Sequence, residues 1–321
     1  MASEYTWEQI DQFFDHIQLP DKYRRVRPSL ELLRVLHTHM LAAVPYENLA
    51  IHYNPQHAVD LDPQHLFDKI VARGRGRGGY CMENAILYNN VLVGLGFDAY
   101  TAGVRTRLRL GGVPSGDYPG WVHIVSIVEF EREGRYMVDI AFGGDCATQP
   151  IPLVDGLVHT NLGGQQIRLV RGWLPSQLKR TERTKLWIYE YRNGEQADWN
   201  SFYAFAELEF MPNDWAVINS YTSTSPRSWQ TGTVIAIKFL RRARKNVEDG
   251  TEGEEGEGQQ EIYGKRMLVN DVIKENLGGR TSVIHECKTE EDRVAALEKY
   301  FGIRLTEEEK NGIKGWRTAL S

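Results

Sequence analysis

Arg73-Gly74-Arg75-Gly76-Arg77-Gly78-Gly79-Tyr80-Cys81-Met82-Glu83-Asn84-Ala85-Ile86-Leu87-Tyr88 leads from a glycine- and arginine-rich loop directly into a helix that continues to about Val93. A cysteine stands at the junction. A thiol at a helix N-terminus, with cationic side chains nearby, sits where its thiolate is stabilised. Cys81 is therefore the one cysteine whose local sequence suggests nucleophilic chemistry. The loop formally matches G-x-G-x-x-G, but a dinucleotide fingerprint requires a preceding strand, and Leu66 to Val71 has helical spacing. No Lys-Ser/Thr follows the glycines, which excludes a phosphate-binding Walker loop. The tract is too short, and the chain too acidic, for an RGG-type RNA-binding segment.

The first hundred residues read as helices. Thr6 and Gln9 form a capping-box signature ahead of Ile10, Phe13, Phe14 and Ile17. Ser29 caps a second helix carrying Leu30, Leu33, Leu36, Met40 and Leu41, and Asp62-Pro63 opens a third. After Phe97 the hydrophobic period changes to two. Strands are expected at Val122 to Val128, Tyr136 to Phe142, Gln166 to Val170, Lys185 to Arg192 and Ser201 to Phe210, the pattern of an antiparallel sheet or barrel. Met211 to Trp229 reads as an aperiodic surface crossing. A last unit follows, with strands Thr233 to Leu240 and Ile262 to Val269 and helix Thr289 to Tyr300. The acidic, glycine-rich run Val247 to Gly258 reads as a solvated loop.

Composition narrows the function classes. A net charge of −5 over 321 residues does not favour nucleic acid or an anionic membrane. Three cysteines form neither a disulfide framework nor a zinc pattern, so no metal is expected. With no leader signature and no run of about 18 apolar residues, the expected location is the cytoplasm.

Nucleophilic thiol catalysis also needs a base and a group that orients it. Six of the nine histidines, His16, His37, His39, His52, His57 and His65, lie in the helical half, where surface or capping roles are expected. His123 differs, because it opens a strand. Asp139 lies within the apolar stretch Met137 to Phe142, where a carboxylate demands a partner. Cys81, His123 and Asp139 thus form a candidate triad. The same order also fits transglutaminase-like or papain-like hydrolases, and a non-catalytic binding protein is a third reading.

Four motifs in the right order carry a family resemblance. Arg77-Gly-Gly-Tyr-Cys81-Met-Glu83 resembles the R-G-G-x-C-x-E motif of the arylamine N-acetyltransferases, and Val44-Pro-Tyr-Glu-Asn-Leu49 their I/V-P-F-E-N-L. His123 followed by Tyr136-Met-Val-Asp139-Ile-Ala-Phe-Gly-Gly144, and Asp214 through Pro226, complete the set. The acidic insertion and the extended C-terminal part look closer to fungal members. The sequence departs from the pattern at Ala85, with Asn at 84, at Tyr46 in place of Phe, and at Ala141 in place of Gly, which bears on acceptor preference and local packing.

The resemblance implies an α+β fold with a cysteine-protease-like core. Residues 1–97 would form a helical bundle carrying the nucleophile, 98–211 a β-barrel carrying His123 and Asp139, 212–229 an interdomain segment and 230–321 an α/β lid. It implies ping-pong transfer of an acyl group from acyl-coenzyme A (acetyl, propionyl or malonyl) through acyl-Cys81 to an arylamine, hydrazine or N-arylhydroxylamine, a reaction of xenobiotic detoxification. The alternative is a hydrolase or a non-catalytic coenzyme A-binding relative. Tyr46 and Phe142 would line the aryl pocket, and Gly120 beside Trp121 would admit the pantetheine arm. The expected partners are these small molecules alone, with the chain a monomer or weak dimer.

Overall fold

The computed structural model describes residues 3–244 and 260–321, so the acidic 247–258 segment lies outside the described residues. The helix Trp7–Ile17 starts where expected: Thr6 accepts from the Gln9 amide, and the Gln9 side chain accepts from the Thr6 amide. Ser29 caps Leu30–Ala43 through the Leu32 amide. Asp62 caps Pro63–Phe67, which widens into a π-type turn at Asp68–Ala72 before the loop. The helix Cys81–Gly94 then begins at the cysteine. Among the described residues no helix is long and apolar enough to cross a membrane.

Eight antiparallel strands curve into a nearly closed barrel. Their order is Ile151–Pro152, Gly134–Val138, His123–Phe130, Asp98–Thr106, Asn200–Glu209, Leu186–Asn193, Gln165–Gly172 and Val158–Thr160. Alternation places Val104, Val125, Ile127, Met137, Leu169, Tyr189 and Tyr203 in one buried cluster, as a pleated strand requires. A second antiparallel sheet joins Tyr46–Glu47, Ile235–Ala243, Gln260–Val269, Val272–Asn276 and Ser282–Glu286. A two-residue strand from the helical region is thus its edge, with Tyr46 opposite Ile237.

Two sequence expectations change. The strand expected at Tyr136 to Phe142 ends at Val138, because Asp139 turns its carboxylate back onto the Ala141 amide (3.0 Å) and breaks the ladder. The supposed surface crossing contains a 13-residue helix, Pro212–Thr224. Pro212 sits in its first turn, and Asp214 accepts from the Met211 amide (2.8 Å). It buries only Trp215, Thr222 and Ser223, so no apolar stripe marked it.

The loop before Cys81 is held by packing and buried charge. A Cβ on Gly78 would lie 1.8 Å from the Pro45 carbonyl oxygen. Gly76, at φ +68°, would meet the Gly302 oxygen at 2.0 Å. Arg77 Nε donates to Glu47 (2.8 Å) and its terminal nitrogen to Glu309. Lys69 donates to Glu83 (2.6 Å), whose other oxygen accepts from the Tyr80 amide (3.0 Å). Glu47, Arg77, Lys69 and Glu83 are all buried. Burial works against the Glu47 carboxylate, but Arg77 and Lys69 outweigh it and hold its pKa below the ordinary range.

Removing one member strands the others, at a cost of about 3–5 kcal/mol. Arg77→Met is therefore expected to lower the melting temperature by on the order of 10 °C. Arg73→Met, which breaks only an exposed pair with Asp68, should lower it by about 2 °C or less. Calorimetry of the two variants checks this, and equal shifts would contradict the role given to the cluster.

Candidate active site

Cys81 is the first residue of its helix and is almost fully buried. Its Sγ lies 3.1 Å from Met82 Sδ and 3.9 Å from the Val122 carbonyl oxygen. The second contact brings the start of the His123–Phe130 strand up to the thiol. His123 follows Val122 directly, and its Nε2 donates to Asp139 Oδ2 at 2.9 Å. Both side chains are buried, so the bond is shielded from water. With Nε2 held as the donor, Nδ1 is the nitrogen free to accept a proton.

Asp139 has no vacant oxygen. Oδ1 accepts the Ala141 amide, and Cys146 Sγ lies 3.9 Å away from that oxygen. The Cys146 sulfur in turn accepts from the Phe142 amide (2.8 Å). Cys146 has no signal of its own in the sequence beyond its place after the Phe-Gly-Gly turn.

The thiol's environment corrects the first electrostatic expectation. Burial pushes the Cys81 pKa well above the ordinary thiol value, and the Asp139 and Glu83 carboxylates push the same way. Backbone N–H groups of Met82 and Cys81 oppose them but do not prevail. The arginines cannot help, because each is already paired: Arg73 with Asp68, Arg75 with Glu309, and Arg77 with Glu47 and Glu309. A lone thiolate is disfavoured here. Deprotonation of the sulfur is favoured only where a neighbouring base takes up the proton.

Aromatic rings surround the histidine. Phe142 is centred 5.0 Å from the His123 ring, 4.7 Å from Phe202 and 4.8 Å from Tyr203. Tyr46 is buried, and its hydroxyl accepts from Gln230 Nε2 (2.6 Å). Burial and the nearby Cys81 thiolate would both keep that phenol protonated. Trp121 turns its ring towards Phe210 and the Arg105 guanidinium, along a groove of about 330 Å³ shared with Tyr118, Leu174 and Gln177. Gly120 is exposed, and a Cβ there would touch nothing. Asn84 donates to the Pro45 carbonyl (3.2 Å), bracing the turn that Gly78 packs against.

Three helical-half histidines are not at the surface as expected. His37, His39 and His52 are buried against backbone carbonyls, and burial pulls each pKa down to about 4. Apolar neighbours at helical spacing concealed that burial. Far from Cys81, His123 and Asp139 in sequence, His285, Cys287 and Asp292 bring ligand atoms within 4.8 Å of one another. Asp292 is already engaged there by His285 (3.1 Å) and by the Lys288 amide (3.0 Å).

The family model for N-acetyltransferases matches residues 29–310. N-malonyltransferase FDB2 of Fusarium pseudograminearum (strain CS3096) is 32% identical over 334 residues, covering 96% of this chain and 92% of that protein. The arylamine N-acetyltransferase of Escherichia coli (strain K12) is 29% identical over 200 residues, 62% of this chain and 63% of its own. In structure, the arylamine N-acetyltransferase of Mycobacterium marinum in complex with CoA superposes with a TM-score of 0.73 at 24% identity, covering 97% of this chain and 98% of that one.

If His123 supplies the activation, His123→Ala leaves a thiol whose pKa is raised. Its iodoacetamide alkylation should then be negligible near neutral pH and rise only above the ordinary thiol range of about 8.5. The wild-type protein should alkylate readily at neutral pH. Superimposable pH–rate profiles would remove His123 from the activation.

Proposed function

The chain belongs to the arylamine N-acetyltransferase family and is an acyltransferase, and we propose that Cys81, His123 and Asp139 carry its ping-pong reaction. The observation that carries the assignment is the buried His123–Asp139 bond at a strand whose preceding carbonyl touches the Cys81 sulfur. The donor we assign is malonyl-coenzyme A. The similarity to N-malonyltransferase FDB2 runs through 96% of this chain, against 62% for the bacterial acetyltransferase.

In the first half-reaction His123 Nδ1 takes the Cys81 proton as sulfur attacks the thioester carbonyl. The Met82 amide at the helix start is available to the oxyanion. Collapse of the tetrahedral intermediate breaks the bond to coenzyme A, whose sulfur leaves with the proton from His123. Sulfur replaces sulfur, so this step needs positioning more than driving force. In the second half-reaction an arylamine attacks acyl-Cys81, its proton passes to His123, and the same proton returns to the departing Cys81 sulfur. Asp139 holds the imidazole in one tautomer throughout. Tyr46 and Phe142 form the apolar walls for the aryl ring, with Gly120 and Trp121 on the side from which the donor's arm enters. Three free cysteines fit a reducing cytoplasm.

Incubation with malonyl-coenzyme A should leave a malonyl group on Cys81 in the intact-mass spectrum, absent from Cys81→Ser, and an arylamine should discharge it faster than water does. Discharge at the same rate without amine would indicate a hydrolase, and an acetyl but no malonyl adduct would overturn the donor. Asp139→Asn should lower turnover by about 10²–10⁴-fold, and near-normal turnover would remove Asp139 from the triad.

A further inference from the structure

Beyond Phe142 the chain turns through Gly143, at φ +77°, and Gly144, and the absence of side chains there brings two surfaces together. A Cβ on Gly143 would lie 3.1 Å from Ile237 and 3.8 Å from the Tyr46 ring. One on Gly144 would lie 3.2 Å from Met267 Sδ and 3.8 Å from Lys265 Nζ. Lys265 therefore stands on the other side of the turn that touches Tyr46 and is followed back, through Phe142, to His123.

Its surroundings are incomplete for a cation. Lys265 is 9% exposed, and among the described residues its ammonium has one hydrogen-bond acceptor, the Gly144 carbonyl, and no carboxylate within 4 Å. An ammonium carries three donors, and a buried charge without partners is costly. Asp145 is the nearby acid, but Arg109 occupies both its oxygens, at 2.9 and 3.1 Å. Arg109 also donates to the Tyr191 hydroxyl (2.8 Å) and lies over Phe202, the ring that abuts Phe142. Two cations thus share one carboxylate, leaving one positive charge in excess behind the turn that follows Phe142, the ring packed on His123. Burial and Arg109 both depress the Lys265 pKa, while Asp145 and Cys146 support its charge.

We propose that Lys265, positioned by the Arg109–Asp145 pair, binds the free carboxylate of a substrate held at Cys81. The inference rests on the acyl-transfer function assigned above and names a specificity determinant for it. Two substrates present that chemistry: the malonyl end of the donor, or a ring carboxylate on an aminobenzoate acceptor. An ammonium facing a carboxylate in a water-poor pocket forms a charge-assisted bond that a neutral acetyl or anilino group leaves unmade.

The test compares wild type, Lys265→Met and Lys265→Arg by two ratios of kcat/KM. One is malonyl- over acetyl-coenzyme A with aniline as acceptor; the other is 4-aminobenzoate over aniline with acetyl-coenzyme A as donor. Lys265→Met should lower one ratio by about 10- to 100-fold, the range of a lost charged hydrogen bond, and Lys265→Arg should largely restore it. The ratio that falls identifies the source of the carboxylate. Because each ratio is internal to one preparation, partial misfolding cancels. If wild type transfers acyl groups and neither ratio moves, or all four substrates suffer equally, the inference is overturned alone. If wild type acylates Cys81 from neither donor, the function assignment fails and takes the inference with it.

Discussion

The salt-bridge cluster of Glu47, Arg77, Lys69 and Glu83 is the constraint from which the site follows. Each member belongs to a different piece of chain: a sheet edge, the glycine-rich loop, the π-type turn and the first turn of the helix that Cys81 opens. Because an unpaired charge in this interior is so costly, the four segments have one arrangement in which all charges are met. Glu83 then receives the Tyr80 amide, which forces the helix to start at Cys81 and no residue later. The thiol's position is a consequence of charge satisfaction in the scaffold beneath it.

That burial has an electrostatic consequence opposite to the one a helix start suggests. A helix terminus favours a thiolate by a fraction of a kcal/mol to about 2, whereas taking a full charge out of water costs several. Desolvation wins at Cys81. The same low dielectric strengthens the His123–Asp139 bond, so the proposed mechanism would form the thiolate only as one half of an ion pair. The loop arginines, which sequence alone presents as activators, are spent on carboxylates of the scaffold.

Elements with strong local signals were legible in the sequence. The capped helices at Thr6, Ser29 and Asp62 and the alternating strands follow from periodicity and cap chemistry, and a carboxylate inside an apolar stretch pointed to Asp139 as a partner for His123. What escaped had no local signature. The helix Pro212–Thr224 buries too few apolar side chains to show a stripe. The end of the strand at Val138 depends on a turn made by the Asp139 side chain. His37 and His52 are buried because of carbonyls at Ala147, Gln230 and Thr233, more than a hundred residues away. Lys265 looks like an ordinary strand lysine until the two-glycine turn packs over it.

Those long-range contacts change the meaning of the C-terminal sheet. As a lid it would merely cover the thiol, and its residues would be interchangeable so long as they excluded water. Yet Tyr46 is hydrogen-bonded into that sheet opposite Ile237, Gln230 holds its hydroxyl, and Met267 and Lys265 press on the turn that carries Phe142. These contacts hold Lys265 against the turn that follows Phe142, the ring packed on His123. If Lys265 meets a substrate carboxylate as proposed, a carboxylate two bonds from the acyl carbonyl has little freedom, and rigidity where the sheets meet would convert a charge into selectivity between acyl groups of similar size. On that proposal, specificity would be a property of how the sheets meet more than of the cysteine.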